Sequence, residues 1–295
     1  MLINQIQQTK FSESEAVIMR YVLSQREAIA SMTCQDIADA TFTSAPLTIR
    51  IAKKLGFSGW NDFKKAFVEE LNYLEAHQEV DASIPFVITD DPMSIAGNII
   101  RLHEETIKDT RELLHHDEVS QAVSLLRKAK VIDIYTTSDY YPQAMTFKNR
   151  MSLGDAIVNI GCDDGTMSQM IAKSDATHLS IIISYSGETK ALLRVLKWLR
   201  HKNVPIMAMT SISRSTLSKN ADVVWHMSSR EMVNTKISYF ASAESLSCLL
   251  DILYSCLFAF DYNKHLDQVF YMTEITNDKY TEDPYIDDSK MGQYE

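Results

Sequence analysis

The densest cluster of ligand-type side chains is the stretch ISYSGETK, residues 183–190, where Ser184, Ser186 and Thr189 place three hydroxyls around Gly187. Hydroxyls donate hydrogen bonds and glycine permits a tight turn. A helix starting just beyond such a turn adds free N–H groups and a favourable dipole, and the set suits a phosphate monoester. Strand-to-helix turns are also rich in serine and glycine for purely conformational reasons, so spacing alone leaves both readings open.

A second constellation lies near the amino end. In MTCQDIADATFTSAPLTIRIAKKLGFSGWNDFKKAF a short helix from about Cys34, a turn through Phe42 and Thr43, and a second helix opened by Ser44 have helix-turn-helix spacing. Leu47, Ile51 and Leu55 share one face of the second helix, flanked by Thr48 and Ala52, while Pro46, Ile49, Arg50 and Lys53 take the opposite face. An isoleucine beside two cations suits a major groove, Ile49 against a thymine methyl and Arg50 on a guanine edge. Between 42 and 67, five bases (Arg50, Lys53, Lys54, Lys64, Lys65) face one acid, Asp62, in a chain of net charge −10. Five cations alone describe an ordinary solvated face; with the helix-turn-helix spacing they favour a phosphate backbone. The DNA-contacting set is therefore Ser44, Thr48, Ile49, Arg50, Lys53 and Lys54.

These side chains need two different scaffolds. At 295 residues the chain exceeds a typical single domain. Residues 11–75 read as helices only, with Ser12 and Thr33 each opening a capping pattern. Residues 77–92 lose helical period, carry two prolines and suit a linker, which leaves 1–76 as an all-α head. A long helical stretch over 93–129 follows. Apolar runs at 131–135, 156–160, 179–184, 205–210 and 223–227 then alternate with helices, the signature of a parallel sheet with helices on both faces. This α/β domain spans 93–272, with the phosphate-type loop at the carboxyl end of its third strand, where open parallel sheets bind ligands. The acidic tail, 273–295, is expected to be disordered.

Other features exclude more than they suggest. Cys34, Cys162, Cys248 and Cys256 have no CxxC spacing, and the eight histidines form no ligand pattern, so neither metal nor cofactor is expected. Trp60, Phe63 and Phe67 have the spacing of a helix core. No run reaches the ~18 unbroken apolar residues of a membrane span and the first residues lack a signal-peptide pattern, which points to a cytoplasmic protein with no membrane partner.

The stretch ISYSGETK resembles the signature loop of the SIS (sugar isomerase) domain family, which binds phosphorylated sugars through Ser-x-Ser-x-x-Thr. AMTSISRSTLSKNADVVWHM and KISYFASAESLSCLLDILY resemble that family's later elements. The resemblance implies that Ser184, Ser186, Gly187 and Thr189 hold the phosphate. The first-strand loop departs from the family: Gly-x-Gly-x-Ser is replaced by TTSDYY after Tyr135, with Ser138 at the serine position in an ungapped alignment and Tyr140 near it after a one-residue gap. The head, through Arg50, Lys54, Leu55, Gly56, Phe57 and Gly59, resembles the N-terminal domain of the RpiR family of bacterial transcription regulators, which join it to a SIS domain. Where that turn usually holds glycine this chain has Phe42, which implies a wider turn.

The resemblance implies a regulator with no catalytic residues, whose partners are operator DNA and a phosphorylated sugar and which binds DNA as a homodimer or higher oligomer. The apolar stretch 245–260 is expected to help form that contact. Two alternatives are a sugar-phosphate isomerase, with Glu188, Glu231, Glu244 or His226 as base, and a DNA-binding protein whose SIS half is only a dimerisation scaffold.

Overall fold

The computed structural model describes residues 2–75, 80–152 and 157–275. The head contains α1 (Leu2–Gln8), α2 (Glu13–Gln25), a 3-10 turn (Arg26–Ser31), α3 (Cys34–Thr41), α4 (Ala45–Lys54) and α5 (Trp60–Glu75). Both expected capping boxes form, Ser12 with Glu15 and Thr33 with Asp36, fixing the starts of α2 and α3. The core joins Ile18 and Val22 of α2, Ile37 of α3, Ile51 and Leu55 next to it, and Phe63 and Phe67 of α5. Trp60, Phe63 and Phe67 stack in series, with ring centroids 4.9 and 5.8 Å apart.

The second domain begins with α6 (Pro92–Glu112) and α7 (His116–Lys128), two helices where the sequence suggests one. The break at 113–115 lets α6 lie against the long helix α12 (Phe240–Phe260) while Ala122 and Leu126 of α7 turn into the core beneath the sheet. Five parallel strands, β1 (Val131–Tyr135), β2 (Ile157–Gly161), β3 (His178–Ile183), β4 (Ile206–Thr210) and β5 (Val223–His226), are ordered β2-β1-β3-β4-β5. The period of two in their side chains builds both cores. Leu179, Ile181 and Ile183 of β3 face α7, α8 (Tyr141–Met151) and α12, whereas Ile182 faces α9 (Asp164–Lys173), α10 (Lys190–His201) and α11 (Thr216–Lys219).

The segment expected as a linker is anchored over its described part. Arg230 Nη2 donates to Val80 O (3.0 Å), Met232 N to Ser83 Oγ (2.8 Å) and Ile237 N to Ser83 O (2.9 Å). These bonds satisfy polar groups of the loop that follows β5, so 80–91 packs with the α/β domain rather than forming a free tether. Helix α13 (Tyr262–Ile275) carries the chain past 272, and the rest of the acidic tail lies outside the described residues. By length and composition α12 could cross a membrane, but Ala241, Ser242, Ser245, Leu246, Leu249, Leu250 and Leu253 are buried within the domain.

Candidate DNA-binding and sugar-phosphate sites

In the head, the α3–α4 turn stays tight. Phe42 adopts the left-handed conformation (φ 51°, ψ 40°) that glycine would supply, and Thr43 N closes on Ala38 O at 2.9 Å. The wider turn expected from the missing glycine does not form, because the backbone bond is kept at the cost of an unfavourable φ. Helix α4 follows with Pro46 in its first turn. Ser44 is in the N-cap position but its hydroxyl makes no cap bond.

The six residues expected at the DNA face separate into distinct environments. Ser44, Ile49, Arg50 and Lys53 are exposed, and Arg50 and Lys53 form no ion pair with a described residue. Thr48 is fully buried and donates its hydroxyl to Ala45 O at 2.6 Å, so it belongs to the helix-packing face and cannot reach DNA from there. Lys54 is drawn toward α2: its Nζ lies 2.8 Å from Glu15 Oε2 and 5.0 Å from the centre of the Phe11 ring. Its hydrogen bond, with that of the Ser12 backbone, holds the Glu15 carboxyl below its ordinary pKa.

In the α/β domain the strand order reverses direction between β1 and β3, so their carboxyl ends border the crevice where such sheets bind ligands. The β3 loop supplies Ser184, nearly buried, with Oγ 3.0 Å from Thr189 Oγ1. Ser186 Oγ accepts from Glu188 N at 3.2 Å, and Gly187 N donates to Ser184 O at 3.1 Å. Thr189 is the N-cap of α10 and makes no side-chain cap bond, so its hydroxyl does not satisfy the first N–H groups of that helix. Gly187 has φ +64°, and a Cβ there would lie 2.1 Å from Ser215 Oγ; only glycine fits both the conformation and the contact.

The β1 loop differs from the glycine-bearing form in a specific way. Thr136 is buried and continues the strand through its N–H to Gly161 O (3.0 Å), with its Oγ1 unpaired among the described residues. Thr137 is extended, and a 3-10 turn over Ser138–Tyr140 follows. Ser138 is exposed at the mouth of β1, while Tyr140 is core, its hydroxyl donating to Ser242 Oγ at 3.1 Å. Of the two alignments, the ungapped one thus puts an exposed hydroxyl beside the crevice. No hydrogen bond links Ser138 to the β3 loop among the described residues. A cleft of about 490 Å³ lined by half-buried His178 and buried Asp133 (Nδ1 to Oδ2, 2.7 Å) does not include these loops.

Sequence reasoning gave no role to the segment 211–219. Its Leu217 N donates to Gly187 O (3.2 Å) and its Thr216 N to Glu188 Oε1 (2.5 Å), so it clasps the phosphate-type loop from one side. On the other side Arg214 Nη1 lies 3.4 Å from both carboxylate oxygens of Asp62, its guanidinium is 6.0 Å from the centre of the Phe57 ring, and Lys219 Nζ lies against Gly56. Asp62, Phe57 and Gly56 belong to the head. The serine density of 211–218 was visible in the sequence; the inter-domain contact of Arg214 had no local signal.

A helix-turn-helix head packed on a five-stranded parallel α/β domain, with a hydroxyl loop at the strand-order switch, defines a two-domain regulator that couples a DNA-reading module to a small-molecule module. Residues 1–73 match the model of the helix-turn-helix domain, rpiR family, and residues 125–250 that of the SIS domain, so the chain joins an rpiR-type helix-turn-helix domain to a SIS domain. An uncharacterized HTH-type transcriptional regulator of Caldanaerobacter subterraneus subsp. tengcongensis is 24% identical over 91% of this chain and 96% of its own length. One from Thermotoga maritima is 25% identical over 85% of this chain and 89% of its own length. Among solved structures, the Vibrio vulnificus NanR protein complexed with ManNAc-6P superposes with a TM-score of 0.61 at 20% identity, covering 94% of this chain and 98% of NanR. The sugar isomerase domain of an RpiR transcription factor from Sphaerobacter thermophilus has a TM-score of 0.54 at 16% identity, covering 61% of this chain and 98% of its own.

Proposed function

We infer that this regulator binds its operator through the exposed face of α4 and that a phosphorylated sugar, held by the β3 loop, changes its DNA affinity without being consumed. The observation that carries this reading is the segment 211–219, which touches Gly187 and Glu188 of the loop and Asp62 and Phe57 of the head. A ligand that reshapes the loop therefore has a short route to the DNA-binding unit, and it needs only unequal affinity for the two arrangements. The ManNAc-6P in the NanR complex supports this ligand class.

The surroundings of Glu231 argue against its serving as an isomerase base. Glu231 is fully buried with its carboxylate engaged by Ala241 N, Ser242 N, Ser242 Oγ and Lys236 Nζ. Glu188 is occupied by Thr216 N, and Glu244 lies 3.6 Å from His103. Burial lowers the pKa of His226, and its Nδ1 is 3.0 Å from Ser211 O. A proton shuttle between adjacent carbons needs a base with free lone pairs near the substrate, and the fully engaged Glu231 has none to spare.

The acting species is a homodimer or higher homo-oligomer in the cytoplasm. Apolar clefts of about 690 Å³ (with Val123, Cys256 and Phe260) and about 410 Å³ (with Ile107, Cys248 and Ile252) run along α12, giving a second copy a surface to cover. A panel of sugar phosphates tested for thermal stabilisation examines the reading. A ligand at 100 times its Kd adds ~2.7 kcal/mol, and NMR should show that sugar unchanged after hours. A silent panel favours the scaffold reading, isomerised product favours the enzyme, and a monomer in sedimentation removes the dimer.

A further inference from the structure

Phe42 is 99% exposed at φ 51° and ψ 40°, on the turn that leads into the recognition helix. Both facts oppose the fold. An aromatic residue in the left-handed region is a steric outlier, and nothing among the described residues covers the ring to offset exposing so much apolar surface. The turn does not need a phenylalanine: the backbone bond Thr43 N to Ala38 O holds its geometry, and the Thr41 Oγ1 bond to Ile37 O (2.6 Å) fastens the end of α3. Glycine would satisfy the same conformation without strain. Strain of this kind, with no compensation inside the chain, points to a partner outside it.

We propose that Phe42 is a DNA-contacting residue whose ring packs against the sugar edges and thymine methyls of the groove wall when α4 enters the major groove. The proposal rests on the DNA-binding reading of the head and extends its surface. The occupant is duplex DNA because Phe42 lies on the turn two residues ahead of the uncapped Ser44, which opens the helix whose Pro46, Ile49, Arg50 and Lys53 are exposed. Arg50 and Lys53, exposed and without an ion-pair partner among the described residues, give that face the charge that a phosphate backbone attracts. Apolar contact with thymine methyls is a recognised form of base readout, and both Phe42 (99% exposed) and Ile49 (41% exposed) offer apolar surface for it.

Phe42→Gly separates a binding role from a structural one, because the two roles move in opposite directions. The probe is a duplex selected by the full-length wild-type protein from a random-sequence pool, with Arg50→Ala measured in parallel. The thermal midpoint of Phe42→Gly should equal or exceed that of wild type, since strain is relieved. Affinity for the selected duplex should fall about tenfold, the loss expected when roughly half the burial of an aromatic side chain is forfeited. Affinity within twofold of wild type overturns the proposal, as does a change in sedimentation of the DNA-free protein, which would assign the ring to a second copy. If no duplex is selected, the DNA-binding reading itself fails; if Arg50→Ala loses affinity and Phe42→Gly does not, only the Phe42 proposal fails.

Discussion

Replacing Arg214 by alanine tests whether the segment 211–219 transmits the ligand signal. The guanidinium is 3.4 Å from Asp62, with side chains 63% and 34% exposed, and 6.0 Å from the centre of the Phe57 ring. An exposed ion pair of this kind contributes ~0.2–1 kcal/mol after solvent screening, and a cation at the edge of ring contact adds about 0.5 kcal/mol. The whole contact is thus worth about 1 kcal/mol, a factor of about five in an equilibrium constant. If ligand-induced coupling is in the usual range of ~1–3 kcal/mol, losing this contact removes a third or more of it. The assay is fluorescence anisotropy of a labelled operator duplex, with and without a saturating sugar phosphate, alongside calorimetric titration of that ligand. The ratio of operator Kd values with and without ligand should move about fivefold closer to one in Arg214→Ala, while ligand affinity stays close to wild type. Asp62→Ala should reproduce the effect, and the double variant should add little to either. An undiminished ratio in both single variants would refute transmission through this contact.

Three further outcomes follow from the geometry. Arg50→Ala should cost ~1–3 kcal/mol at the specific site and relax specificity there, whereas Lys54→Ala should weaken all duplexes evenly and lower the thermal midpoint because Glu15 loses its partner; competition binding separates the two. Gly187→Ala should strain the loop by about 1–2 kcal/mol through its φ of +64°, displace Ser215 and abolish ligand stabilisation, read by calorimetry against a panel of sugar phosphates. Since the pKa of Glu15 is lowered in the folded head, its contribution is full above the unfolded value of about 4.5 and is lost as pH falls through the folded one. Glu15→Gln should therefore flatten the acid limb of stability, measured by denaturant unfolding between pH 3 and 7.

Where a feature is written in local pattern, the sequence predicts it well. The strand runs at 131–135 and 206–210 carry their β-branched and apolar side chains on both faces, and the structure places them in a parallel sheet with two cores. The capping boxes at Ser12 and Thr33 are legible because both partners lie within three residues. The phosphate-type loop is legible because its hydroxyls are contiguous. Thr48 was misplaced because a threonine at the boundary of a helical wheel turns inward when its hydroxyl bonds the preceding turn. Arg214 and the anchoring of Val80 and Ser83 depend on pairings more than a hundred residues apart, which no local period encodes. Phe42 shows the remaining gap: the missing glycine was visible, but only the backbone shows that phenylalanine adopts its conformation.

Whether the β3 loop controls DNA affinity is decided by titrating operator DNA with wild-type protein and with the Ser184→Ala/Ser186→Ala variant, each with and without the best-binding sugar phosphate. Both serines lie in the loop and Ser184 Oγ is bonded to Thr189, so the double change removes donors to a phosphate without touching the head. Operator affinity should be equal for the two proteins without ligand, should shift about 5- to 150-fold on adding ligand to wild type, and should shift little or not at all in the variant. An equal ligand shift in both proteins would contradict control by the β3 loop.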